Sequence, residues 1–258
     1  MENKKINIGI VGCGNIAEKY LEQISDYNNI QLIGLTDIDI DRAKSFSSLY
    51  NCQVYENLDK MLSDPKIDLV VNLTIHHAHV EVIKKILNSG KHVYTEKPLA
   101  MNYKDAKRII RLSEKNNLRL SSAPITYMGE MQQTAYKYIT DGLLGKIRLV
   151  YAEINHDRIE NWHPNPKPFF DVGVLWDVGI YALTICTALM GSIKSVTGFG
   201  KVIMSTRRTL DGKSFKVSTP DFILALLEMN NGALLRLTCN FYANDSKQDH
   251  GIEIHGDN

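Results

Sequence analysis

The chain has 258 residues, room for two domains of ordinary size with a core in each. Its 30 Lys and Arg balance 29 Asp and Glu, so no long-range field draws it to nucleic acid or to an acidic membrane surface. The 4 cysteines, Cys13, Cys52, Cys186 and Cys239, form no CxxC pair, which argues against a disulfide scaffold or zinc ribbon and for free thiols in a reducing compartment such as the cytoplasm.

In chain order, Ile6 to Val11 predicts a buried strand, and glycines interrupt this apolar run too early for a leader peptide. Ile16, Tyr20, Leu21 and Ile24 recur at helical spacing across 15–26. A second strand follows over 30–35 and a second helix over 39–50, capped by Asp39. Next come a short strand around Val54, a short helix over 57–62 broken by "SDPK", and an apolar strand over 69–73. Helix 78–88, strand 92–94, helix 102–116 and strand 118–122 complete an alternation that means βαβ units and a parallel sheet. No apolar run is long enough to span a bilayer. After Ala123 and Pro124 the pattern changes. Helix 129–141 ends at Gly142. Strands are expected over 146–155, 193–203, 222–229 and 233–242, the last two joined by Asn230-Asn231-Gly232, a hairpin signal. One helix over 174–190 interrupts them, giving an antiparallel sheet with helices on one face.

Directly after the first strand stands "GCGNIA". Gly12, Gly14 and Ala17 fit GxGxxG/A: a glycine for the tight turn, a glycine for close backbone approach to a pyrophosphate, and a small residue for helix–strand packing. The helix start, with Asn15 and Ile16 assigned to the cofactor as well, turns free amides and a positive dipole end to the phosphates. Asp37 ends the second strand, where a carboxylate accepts from a ribose hydroxyl and repels a 2′-phosphate, so NAD is expected over NADP. The alternative role for Asp37, capping the next helix, suits Asp39 better. A calcium loop over "DIDID" is rejected, because Arg42 stands where glycine is needed and Ser48 where glutamate is needed.

Glu96, Lys97 and Pro98 leave a buried strand in "GKHVYTEKPLAM". Charges there cost free energy unless they are paired or used. The glycine turn, the stretch "NLTIHHAHVEVIKKILNSGKHVYTEKPLA" and the later "DVGIY" together resemble the glucose–fructose oxidoreductase and inositol dehydrogenase family, Gfo/Idh/MocA, over nearly the whole chain. The resemblance implies an α/β Rossmann domain over 1–123, an α+β domain with an open, mostly antiparallel sheet over 124–258, and an active site between them. By the same resemblance Glu96 binds the ribose near the nicotinamide, Lys97 points at the reacting carbon, and the bond before Pro98 is often cis. Asn72, Thr74 and His79 lie along the cofactor; the family's usual Thr-Pro is Thr-Ile here. A lysine beside a positively charged nicotinamide gives up its proton more readily, which suits proton transfer.

Asp177 and Tyr181, four apart, share one helix face. In the family a DxGxH or DxGxY helix brings its acid and its His or Tyr to the substrate. Tyr181 is the candidate acid/base, Asp177 holds and polarises the substrate hydroxyl, and Lys97 is the third member; the alternative is a core tyrosine bonded to a helix aspartate. Trp162 and His163 precede three prolines at 164–168 and are candidates to wall a sugar pocket, or else belong to an extended surface connector. His76, His77 and His79 invite a metal reading, but further ordered ligands are lacking and no metal is expected.

The expected function is NAD-dependent hydride transfer at a secondary alcohol or ketone of a sugar, polyol or related small molecule. Alternatives are an NAD-using glycosidase on the same scaffold and a non-enzymatic NAD-binding regulator. Neither nucleic acid nor membrane is an expected partner. Homo-oligomerisation through the C-terminal sheet is. The final "HGIEIHGDN" reads as a strand over 251–255 and the start of a turn. Because the family continues with further strands and a helix, the chain is expected to be C-terminally truncated, with an open sheet edge.

Overall fold

Alternation of apolar strands and amphipathic helices accounts for the first half of the chain. In the structure, a computed structural model describing residues 5–247 and 249–258, the chain divides into two compact units between Ala123 and Pro124. The first holds β1 (Ile6–Val11), β2 (Ile30–Thr36), β3 (Gln53–Val54), β4 (Leu69–Asn72), β5 (His92–Thr95) and β6 (Leu120–Ser122). They form a six-stranded sheet in the order β3-β2-β1-β4-β5-β6, parallel at every pair. Between them run α1 (Asn15–Ile24), α2 (Ile40–Tyr50), α3 (Leu58–Leu62), α4 (His79–Asn88) and α5 (Tyr103–Lys115).

Both faces of this sheet are buried. Ile10 and Val71 pack with Leu21 of α1 on one side, while Val70 and Val93 pack with Ile83 and Ile86 of α4 and Ile109 of α5 on the other. Each such side chain, fully buried, contributes about 1.5–3 kcal/mol of transfer free energy. Strand order reverses between β1 and β4, which puts a ligand crevice at their carboxyl ends. Asn57 and Asn102 cap α3 and α5 through the amides of Lys60 and Asp105, each at 2.9 Å. Asp39 holds the cap position of α2 but its side chain accepts no helix amide. It pairs with Arg42 at 3.1 Å instead.

The second unit contains α6 (Glu130–Thr140), β7 (Leu149–Asn155), α7 (Lys167–Val172), α8 (Ile180–Met190), β8 (Ile193–Lys201), β9 (Thr206–Arg208), β10 (Ser214–Lys216), β11 (Phe222–Met229), β12 (Leu234–Asn240) and β13 (His250–His255). Its main sheet has the order β13-β7-β12-β11-β8. Three of its pairings are antiparallel, but β12 runs parallel to β7, so the sheet is mixed. Alternation along the strands sends Val150, Ala152, Leu227, Leu235 and Leu237 under Val174, Val178, Ala182 and Cys186. Between β11 and β12, Gly232 supplies the positive φ of 87° that the hairpin turn needs.

Three local readings change. The proline-rich connector is partly helical: α7 begins right after Pro166, with Pro168 in its first turn, where a missing N–H leaves no hydrogen bond unmade. The helix expected over 174–190 opens with a π-helical turn, Leu175–Gly179, and continues as α8. The hairpin of β9 and β10 went unread, being short and polar. Among the described residues no helix is long and apolar enough to cross a membrane, and all four cysteines are free thiols.

Candidate active site

At the carboxyl end of β1 the chain turns sharply at Gly12, φ 97°. A Cβ there would lie 2.6 Å from the carbonyl carbon of Leu73, so only glycine fits. Gly14 caps α1 without a side chain, and a Cβ built on it meets no described atom within 4 Å. The backbone there is open to a ligand, with the helix amides behind it. Ala17 is fully buried against the sheet, while Asn15 and Ile16 are exposed at the helix start.

Asp37 is fixed over this turn. One oxygen accepts from the Cys13 amide at 2.6 Å and the other from the Asp39 amide at 2.7 Å. Each oxygen keeps a lone pair for a further donor. Burial, and then the Asp37 charge, push the Cys13 thiol up to about 12, so this cysteine is no nucleophile. Gly12, Gly14, Asp37 and Thr74 line one cleft of about 650 Å³, together with Arg42. The glycine turn, the open helix start and the pinned carboxylate fit the adenosine diphosphate half of NAD.

Behind the cleft, Asn72 is fully buried. Its side chain donates to the Thr95 hydroxyl at 3.1 Å and accepts from the Thr74 hydroxyl at 2.7 Å, tying the ends of β4 and β5 together. His79, expected along the cofactor, is buried with its ring nitrogens 2.7 Å from the Pro98 carbonyl and 2.9 Å from the Thr74 carbonyl. It braces the loop that carries Thr74 rather than presenting a ring nitrogen to a ligand. Among the described residues no cluster of His, Cys, Asp or Glu can hold a metal ion. The Lys97–Pro98 peptide is cis. Glu96 accepts from the Tyr20 hydroxyl at 2.6 Å and from the Lys97 amide at 3.0 Å. Burial, then the hydrogen bond to Glu96, push the Tyr20 hydroxyl well above the usual phenol range, so Tyr20 stays a donor. The sequence reading counted Tyr20 only as part of an apolar helix face and missed this contact.

In the second unit, Asp177 lies in the π-helical turn, 8% exposed, with its amide donating to the Gly173 carbonyl at 3.0 Å. Tyr181 follows in the first turn of α8 and is half-buried. Gly179 lets this turn press on β12: a Cβ there would sit 3.2 Å from Cys239 Sγ. Trp162, 51% exposed, stands edge-on to His163 at 5.5 Å and to His156 at 6.1 Å. His156 also meets Phe241 at 5.9 Å and His250 at 5.7 Å. Burial lowers the His156 pKa, and the charge of Asp177 opposes that shift, so a mainly neutral imidazole shares the surroundings of the candidate acid. No periodicity or motif marked His156 in the sequence.

The doubly wound sheet with a glycine turn and a pinned acid at its switch point defines a dinucleotide-binding protein. Residues 6–123 match the oxidoreductase family with an NAD-binding Rossmann fold, and residues 132–258 match the GFO/IDH/MocA C-terminal domain. The chain belongs to this family. An uncharacterized oxidoreductase of Schizosaccharomyces pombe is 34% identical over 164 residues, covering 61% of this chain and 44% of that protein. The myo-inositol 2-dehydrogenase of Thermotoga maritima is 23% identical over 89% of this chain and 66% of its own length. Among solved structures, the WlbA dehydrogenase from Bordetella pertussis in complex with NADH and UDP-GlcNAcA superposes with a TM-score of 0.88 at 20% identity, over 100% of this chain and 73% of that one. Such a likeness speaks for the fold. The chain spans about half the length of the first curated relatives it matches.

Proposed function

We propose that this protein is an NAD-dependent dehydrogenase or reductase acting on a secondary alcohol or ketone of a sugar, polyol or related compound. The observation that carries the reading is Asp37, pinned by two amides over the Gly12–Gly14 turn at the switch point of a parallel sheet. NAD, when bound, supplies the hydride acceptor. Glu96, oriented by Tyr20 and the Lys97 amide, receives the ribose next to the nicotinamide. Asp177 holds and polarises the substrate hydroxyl, and Lys97 and Tyr181 move its proton. Trp162 and His163 wall the sugar. The family names of the relatives, dehydrogenases of diols and inositols, support this assignment.

The protein is assigned to the cytoplasm and to a homo-oligomer joined through the second-unit sheet. Support for the oligomer comes from Phe199, Leu224, Leu226 and Leu234, which are exposed on the sheet face turned away from its helices.

A panel of sugars, inositols and sugar acids, followed at the absorbance of reduced cofactor, tests the activity. Lys97→Ala and Tyr181→Phe are expected to lower turnover by roughly 100-fold or more, as for loss of a general acid–base group, with NAD affinity and fold retained. Full turnover in either variant removes that residue from the mechanism. Product analysis that finds a cleaved glycoside in place of an oxidised alcohol assigns the scaffold to glycoside cleavage instead.

A further inference from the structure

The strands β7 and β12 run parallel, so the loops that follow them leave the sheet at the same end. Arg158 lies in the first loop, two residues after His156, and its amide donates to the Asn244 side chain of the second at 3.3 Å. That second loop is held by Asn240, which accepts from the amides of Tyr242 and Ala243 at 3.0 and 2.7 Å. The guanidinium of Arg158 sits over the Tyr242 ring, 4.3 Å from its centre.

Among the described residues Arg158 is an exception. The other arginines are exposed, apart from Arg207, and Arg207 is clasped by Glu160 and Asp221. Arg158 is half-buried, and no carboxylate pairs with it. Its Nε is buried without an acceptor, as is that of Arg207, but the Arg158 guanidinium lies on a flat aromatic ring with no carboxylate to neutralise it, and a cation so placed favours an anionic partner. The place of Arg158 ties it to the substrate side of the fold. The turn that carries Asp177 packs on the end of β12, where a Cβ on Gly179 would lie 3.2 Å from Cys239 Sγ, and the His156 amide donates to the Asn240 carbonyl at that same end at 3.0 Å.

We propose that Arg158, on its Tyr242 platform, receives an anionic group of the substrate, so that the natural substrate is an acidic sugar derivative bearing a carboxylate or a phosphate. The acid seats on the guanidinium while a hydroxyl of the same molecule meets Asp177. This rests on the dehydrogenase reading for the second contact, and the anion site is tested separately by binding.

The test uses the full chain loaded with NAD and four compounds: glucose, glucuronate, gluconate and glucose 6-phosphate. Calorimetric titration reads binding, and absorbance of reduced cofactor reads turnover. At least one acid is expected to bind roughly 10- to 100-fold more tightly than glucose, the range for a hydrogen-bonded charge. The carboxylate and phosphate arms identify which anion is preferred. Arg158→Gln is expected to abolish that preference and Arg158→Lys to keep part of it, with NAD affinity and unfolding midpoint unchanged. Equal binding of glucose and the acids, no binding of any acid, or an acid preference that survives Arg158→Gln overturns the proposal. Acids that bind through Arg158 without forming reduced cofactor leave it standing and overturn the dehydrogenase reading. Turnover of neutral sugars with no acid preference does the reverse.

Discussion

Tyr20 and Glu96 are separated by 76 positions in sequence and by 2.6 Å in space. The hydroxyl fixes one carboxylate oxygen while the Lys97 amide fixes the other, so Glu96 cannot swing freely. If Glu96 serves the nicotinamide ribose, Tyr20→Phe should weaken NAD by roughly 10-fold, the scale of one hydrogen bond to a charged group. It should leave ADP binding unchanged, because ADP has no such ribose. The Tyr20 hydroxyl is pushed above its ordinary value, so the loss should be constant from about pH 6 to 9. Equal weakening of NAD and ADP would make Tyr20 a general packing residue. Asp37 makes a second prediction at this scale. With its charge facing the ribose, NAD should bind more tightly than NADP, and Asp37→Asn should narrow the gap, since it keeps the shape and removes the repulsion. Calorimetric titration of both cofactors in both proteins decides it; tighter NADP binding by the unchanged protein refutes the assignment. Asp37 was legible in the sequence because its role follows from local position at a strand end. Tyr20 was not, because a helix face that packs and a helix face that donates look alike by spacing.

The same division holds for elements. The first unit was readable element by element, since its central strands β1 and β4 are mostly apolar and buried and asparagines cap α3 and α5. The second was read less fully. That β12 lies beside β7 in the same direction depends on long-range pairing that neither strand encodes alone. The π-helical turn under Asp177 leaves no trace in a pattern of apolar spacing, and such turns are frequent at functional sites. The hairpin of β9 and β10 adds a buried charged cluster to the packing of Phe215 on the core. Arg207, with a fully buried side chain, contacts Glu160 at 2.5 Å and Asp221 at 2.6 Å, and stacks 4.6 Å from the Phe170 ring centre. Asp221 also accepts the Ile203 amide at 2.6 Å. Removing the cation leaves two carboxylates stranded in the interior, which costs about 3–5 kcal/mol for a buried pair broken on one side. Arg207→Met should therefore lower the urea midpoint of the second unit strongly. It should also change Trp162 fluorescence, because Glu160 sits in the turn that leads into Trp162. A change below about 1 kcal/mol, the ordinary effect of a surface substitution, would show that this cluster does not hold the hairpin.

At the scale of the molecule, the second-unit sheet shows two unlike faces. One is covered by α8 and the turn before it. The other carries Phe199 opposite Leu224 and Leu149 opposite Leu234, with Leu226 between them, 52% exposed. Exposed apolar side chains grouped on one sheet face, here interrupted by Thr197, Arg236 and Glu228, make that face a candidate for association between copies. The strand β8 at one edge is also open along most of its length, and an open edge offers a second route to association by strand pairing. The two routes separate under mutation. Leu226→Lys places a charge in the middle of the face, where burial without a partner is costly, yet it leaves every backbone group of β8 available. If copies associate face to face, light scattering should show the unchanged protein as an oligomer and Leu226→Lys as a monomer. Far-ultraviolet dichroism and NAD affinity should match in the two, since the cleft of Gly12, Gly14 and Asp37 is built wholly from the first unit. If Leu226→Lys still assembles, the face is not the interface, and a proline at Thr197 of β8 becomes the variant that must dissolve the assembly.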